Sequence, residues 1–208
     1  MLKEFEEVLK FAKTREKKEG LEWYVIANKR VHDIAVRFDL APEKVAGIIA
    51  VLSPSVEWNG NIEDAENFIR SKGLARMRTY GANVRTARRI LKSKSLSEIL
   101  SIMENLGGFK VKSFFDNILN PLTSTAITVD THLIRAWYGS PFLTKKQVTA
   151  SFRRVLYSEI SADILTLAVR HQIRPLEMQA ILWVTWKKIA PFKKSAIVTG
   201  QSYFESLI

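Results

Sequence analysis

Apolar residues recur along this chain with the 3.6-residue period of helices, and strand-like alternation is almost absent. Leu2, Phe5, Val8, Leu9 and Ala12 form an amphipathic face whose helix is expected to end near Gly20. A second helix is predicted from Leu21 to Phe38, with Trp23, Ile26, Ala27, Ile34 and Val36 as its apolar positions. Pro42 suits a first helical turn, where its missing N–H costs nothing. The run Val45 to Leu52 is apolar all round, as in a helix enclosed by others. Ser53-Pro54-Ser55 stops it, and Asn61 reads as the cap of a helix from near Ile62 to near Gly73.

Further on, Ala82 to Lys92 is a basic amphipathic helix, and Ser95 or Ser97 starts a short helix through Met103. Leu106 to Lys110 contains a tight turn, followed by a helix from Val111 to Leu119. Asn120-Pro121 ends that helix, and the β-branched stretch Thr123 to Val129 is predicted to be extended. Asp130 can cap a helix through Trp137. Helices over Lys145 to Tyr157, Ala162 to Arg170 and Pro175 to Lys188 complete an all-α expectation, with no internal repeat and no long linker.

Composition supports a packed chain: 47% of the 208 residues are hydrophobic and 25% charged. Cysteine is absent, which excludes disulfides, thiolate zinc sites, cysteine-ligated iron–sulfur clusters and cysteine nucleophiles. No His/carboxylate cluster has ligand spacing, so no catalytic metal is expected, and His32 and His171 are isolated. The N-terminus carries Lys3, Glu4, Glu6 and Glu7 rather than a signal-peptide core, and no apolar run has membrane length. A cytoplasmic, monomeric protein is the expectation.

Charge adds a partner. Thirty-two Lys and Arg stand against 21 Asp and Glu, giving a net charge of +11. Arg70, Lys72, Arg76, Arg78, Arg85, Arg88, Arg89, Lys92 and Lys94 follow one another without an intervening acid. Clustered cations favour a polyanion, because neutralised phosphates release condensed counterions. A merely solvated basic face is the alternative.

Paired glycines in a short interhelical turn permit positive φ and expose backbone N–H groups that can hold a phosphate. Gly107-Gly108-Phe109-Lys110 provides such a turn, with Lys110 and Lys112 adding charge. Beyond it lies Val129-Asp130-Thr131-His132-Leu133-Ile134-Arg135. Together these segments resemble the helix–hairpin–helix region of the endonuclease III-like (HhH-GPD) DNA glycosylase superfamily. Lys112 falls at the family's lysine position with no gap before Asp130. Ile48 to Ser53 is similar to the family's buried helix ending in Leu-Ser, and Tyr80 to Leu91 to its next helix.

The resemblance implies a two-lobed helical fold. A central lobe is expected at about 42–128, with the hairpin at 106–112, and a second lobe from 1–41 plus 129–208. It also implies a partner, double-stranded DNA, and an activity: flipping a modified or damaged base and cleaving its N-glycosidic bond. Asp130 would be the catalytic carboxylate, held by backbone amides at a helix start. Lys112 would be either an attacking amine, giving AP-lyase activity, or a phosphate-binding cation; the amine role calls for partial burial. Gly107, Gly108, Phe109, Lys110, Arg85 and Arg88 would hold the DNA backbone. His132 would orient or pack.

Departures from the family pattern are specific. Lys110 replaces the second hairpin glycine, and the family's glutamine that fills the gap left by an extruded base is absent, with Ser55 near its position. The absence of cysteine implies a cluster-free, divergent and perhaps viral member; a monovalent cation on hairpin carbonyls is compatible with it. The base pocket would involve Ser53, Ser55, Glu57, Trp58, Asn59 and Asn61, while Trp183 and Trp186 read as core. Two alternatives stay open: group transfer onto a base, as in viral thymine hypermodification, and a non-catalytic DNA-binding module.

Overall fold

A computed structural model describes residues 2–106 and 108–199, leaving aside the side chains at 145, 151 and 193–199. Every regular element among the described residues is a helix. In chain order these are α1 (Leu2–Lys10), α2 (Thr14–Phe38), α3 (Pro42–Leu52), α4 (Trp58–Arg70), α5 (Gly81–Lys92) and α6 (Leu96–Glu104). They continue as α7 (Phe109–Leu119), α8 (Thr131–Trp137), α9 (Lys145–Ser151), α10 (Arg154–His171) and α11 (Pro175–Thr199).

The chain divides into two compact units: one from residues 1–24 and 125–208, the other from 25–124. The first therefore joins both ends of the sequence, and the boundary falls inside α2. Residues 25–41, which the resemblance groups with the chain ends, belong by their contacts to the second unit. Asn28 shows why: its side-chain amide donates to the carbonyls of Ile118 and Leu119, both at 2.9 Å, closing the end of α7.

In the 25–124 unit, α3 is the hub. All eight residues from Val45 to Leu52 are buried, against α4, α5, α6 and α7. An all-round apolar helix is stable only when enclosed, and each buried aliphatic side chain contributes roughly 1.5–3 kcal/mol. Pro42 occupies the first turn as expected. Asn61 does not cap α4, which begins three residues earlier at Trp58. Instead Asn61 is 1% exposed within that helix, and its amide donates to the Ile49 carbonyl at 3.1 Å. A buried polar side chain facing α3 has been taken for a cap.

In the other unit, α1, α8, α10 and α11 pack around Phe5, Leu133, Ile134, Ile164, Leu182 and Trp186. Here the expected break at Gly20 does not occur, and α2 runs straight through it. A Cβ at Gly20 would lie 2.6 Å from Cα of Ile181, so the glycine marks a close helix crossing rather than a stop. One turn earlier Glu16 is 3% exposed and accepts from Lys188 Nζ at 2.6 Å. That hydrogen bond holds the Glu16 carboxyl below the usual glutamate range.

The predicted helix Lys145 to Tyr157 is two helices. Phe152 and Arg153 donate to residues three back, at Thr149 and Ala150, which tightens the end of α9. Arg153 then turns extended and α10 restarts, absorbing the expected Ala162–Arg170 helix. Among the described residues no helix is long and apolar enough to cross a membrane.

Candidate active site

Asp130 is placed by the segment before it. Residues 124–130 have no regular structure, as their β-branched composition predicted. Ile127, Thr128 and Val129 are buried, and Tyr157 bridges the segment. Its hydroxyl donates to the Ile127 carbonyl at 2.8 Å and accepts from the Val129 N–H at 3.1 Å. Two backbone groups that would otherwise be buried unpaired are satisfied by one phenol, which fixes the chain immediately ahead of Asp130.

Asp130 is the N-cap of α8, in extended conformation. Its Oδ1 accepts from the N–H groups of His132 and Leu133, both at 2.9 Å. Its Oδ2 accepts from the indole Nε1–H of Trp183 on α11, also at 2.9 Å. Around that indole stand Trp23, edge-on at 5.7 Å, and His132, at 6.3 Å and nearly perpendicular. Lys187 Nζ lies 4.4 Å from the Trp183 ring centroid. Trp186 is core, fully buried, as expected. Trp183 is half-buried: it packs against the core, as expected, and its indole N–H also joins this polar cluster, a role its spacing from Trp186 does not reveal.

The hairpin joins α6 to α7 within the 25–124 unit. Ser95 caps α6 through an N–H···O bond from Glu98. Gly107 lies outside the described residues. Gly108 caps α7 with φ −134° and ψ 134°, an ordinary extended backbone, so the positive φ expected of the glycine pair is not used there. Phe109 is exposed and Lys110 half-buried at the start of α7. The Lys112 side chain is 52% exposed, and its Nζ lies 3.5 Å from Glu104 Oε1.

Part of the basic run is internally committed. Arg78 pairs with Glu63 at 2.7 Å and approaches Asp64 at 3.7 Å, so acids from α4 reach into the stretch. Arg88, although exposed, donates its Nε–H to the Gly73 carbonyl at 2.9 Å, where Gly73 adopts φ +81°. Arg85, Arg89 and Lys92 are exposed on α5.

The six pocket residues do not converge. Ser53 is buried and back-bonds to the Ala50 carbonyl at 2.9 Å, and Asn61 is turned toward α3. Ser55, at φ +66°, is exposed and pairs its hydroxyl with that of Tyr80 at 2.9 Å. Glu57 is the exposed N-cap residue of α4. Trp58 and Asn59 do come together, lining a cleft of about 620 Å³ with Ile26, Lys29, Arg30, Asp33, Ile62, Glu63 and Glu66. Trp58 stands edge-on to Phe114 of α7. Among the described residues no three His, Cys, Asp or Glu side chains are grouped to hold a metal.

One family spans this architecture, from α1 to the middle of α11. The chain belongs to the family of unknown function DUF7178, matched over residues 1–190. The DUF7178 match thus includes the hairpin, Asp130 and Trp183. No curated protein matches the chain, and no solved structure does.

Proposed function

We propose that this DUF7178 chain is a DNA glycosylase of the helix–hairpin–helix type, with Asp130 as its working carboxylate. The observation that carries the proposal is the seating of Asp130, whose two oxygens are held by three donors from two separate helices. A carboxylate so fixed suits stabilisation of a cationic sugar centre, because it needs no reorganisation as charge develops. Further support comes from the hairpin, from the exposed cations of α5, and from a division in which the chain ends form one unit and the hairpin lies in the other.

In this chemistry the C1′–N bond breaks and the base departs with its electron pair. Water adds to C1′ and gives a proton to Asp130, which releases it to solvent, while the leaving base takes up a proton from solvent. Lys112, exposed and facing Glu104, suits a backbone contact rather than attack on C1′. Hydrolysis without strand cleavage is therefore favoured over lyase chemistry.

Two measurements follow. Oligonucleotides carrying different modified purines and pyrimidines, incubated with the protein and read by mass spectrometry, should yield an abasic product from at least one. A base of increased mass would instead mean group transfer, and tight binding with no change of mass a binding module. Borohydride reduction during turnover should trap no adduct, and Lys112→Gln should weaken DNA binding about uniformly across sequences, with a salt slope shallower by roughly one. An adduct at Lys112 would reverse the choice between hydrolysis and lyase chemistry.

A further inference from the structure

Of the three hydrogen bonds on Asp130, its role as helix cap accounts for two. Oδ1 receives both capping N–H groups and has its two lone pairs filled. A cap leaves the second oxygen to solvent. Here Oδ2 is taken by Trp183, 53 residues further along the chain. Indole is a donor only, so the direction of this bond is fixed by chemistry. One lone pair of Oδ2 remains.

Trp183 is itself held in place. Trp23 and His132 meet its ring edge-to-face, and the Lys187 ammonium sits over it at 4.4 Å. A half-buried tryptophan needs none of this to fill space. The arrangement fixes the direction of one N–H bond, and with it the rotation of the carboxylate about its Cβ–Cγ bond.

We infer that Trp183 is a positioning residue for Asp130, aiming the open lone pair of Oδ2 as the reacting position; this rests on the glycosylase reading above. Trp183 touches no substrate in this scheme and acts through Asp130. Its contribution is preorganisation: a carboxylate free to swing would miss the attack geometry for part of the time.

The test is Trp183→Phe, which keeps an aromatic ring among Trp23, His132 and Lys187 and removes the N–H. Single-turnover rates should fall ~10–100-fold with KM for DNA unchanged. The same change placed in an Asp130→Asn background should lower the rate no further. A readout free of activity accompanies it: the Trp183 indole ¹H–¹⁵N signal should move, and exchange with solvent faster, in Asp130→Ala, while that of Trp58 stays. Full activity in Trp183→Phe, alongside a dead Asp130→Asn, would refute positioning and leave the glycosylase reading intact. An unmoved indole signal would remove the hydrogen bond on which positioning depends. Full activity in Asp130→Asn would sink both.

Discussion

Under the proposed glycosylase function, asparagine in place of Asp130 is expected to lower base release on the order of 10²–10⁴-fold, the range for losing a positioned acid–base group. The fold should survive, since asparagine caps helices about as well as aspartate. Its amide oxygen can accept the His132 and Leu133 N–H groups in the place of Oδ1. The amide nitrogen then faces the indole N–H of Trp183, and two donors oppose each other where a donor met an acceptor. An unpaired donor costs about 1–3 kcal/mol when buried and less at a half-buried indole, so Asp130→Asn should melt slightly earlier than the native protein.

That side effect can be separated from the chemistry. Adding Trp183→Phe removes the opposing donor, so the double variant should be more stable than the sum of the two single changes predicts. It should nevertheless stay inactive. Recovery of stability without recovery of base release would place the loss in chemistry rather than in folding. Thermal melts and single-turnover rates on the four proteins of the cycle provide the comparison. Native rates in Asp130→Asn would show that the carboxylate is a cap and nothing more.

Several local signals are legible in the sequence, although the helix breaks at residues 11–13 and 152–153 are not. Pro42 sits in a first turn, α3 is buried all round, and Ser95 and Asp130 cap their helices. Each depends on residues within about one turn, which periodicity and capping rules address. Gly20 and Asn61 were misread because their reasons lie on other elements, Ile181 of α11 and the Ile49 carbonyl of α3. A glycine required for close approach looks in sequence like one that ends a helix.

The candidate site divides the same way. Asp130 was legible from its motif and its capping position. The Trp183 hydrogen bond was not, because its partner lies far along the chain and the core packing of Trp183 is all that its spacing from Trp186 signals. The expected pocket joins a stacking Trp58 to polar residues that lie close to it in sequence. In a helix that opens at Trp58, adjacency points successive side chains in different directions, and of the six, Trp58 and Asn59 line the cleft beside α2.

Gly20→Ala should destabilise the protein, against the direction of helix propensity. Alanine in a helix interior is favoured over glycine by about 0.8–1.0 kcal/mol. The new Cβ, however, would stand 2.5 Å from Cγ1 of Ile181 and 2.6 Å from both its Cα and its N. A crowded side chain can rotate away, but backbone atoms cannot. The strain must be relieved by moving α2 and α11 apart. Overpacking of a tight contact costs roughly 1–3 kcal/mol, and contact with backbone falls at the upper end. The net loss should be about 2 kcal/mol, a fall in melting temperature of roughly 4–8 °C for a chain of this size.

The substitution also reaches the site, because Ile181 is two residues from Trp183 on α11. A shift of that helix strains the Trp183–Asp130 bond, so the rate should fall with stability, more than the unfolded fraction explains. Gly108→Ala is the matched comparison. Its Cβ would meet only the Leu106 carbonyl oxygen at 3.9 Å, and its φ of −134° suits any residue. The melting temperature of that variant should stay within about 2 °C of native, since unstrained surface changes are usually within roughly 0.5 kcal/mol. Equal melting temperatures for Gly20→Ala and the native protein would mean that the α2–α11 crossing is looser than its geometry implies. The seat of Trp183 would then have to be secured by its ring contacts with Trp23 and His132 alone.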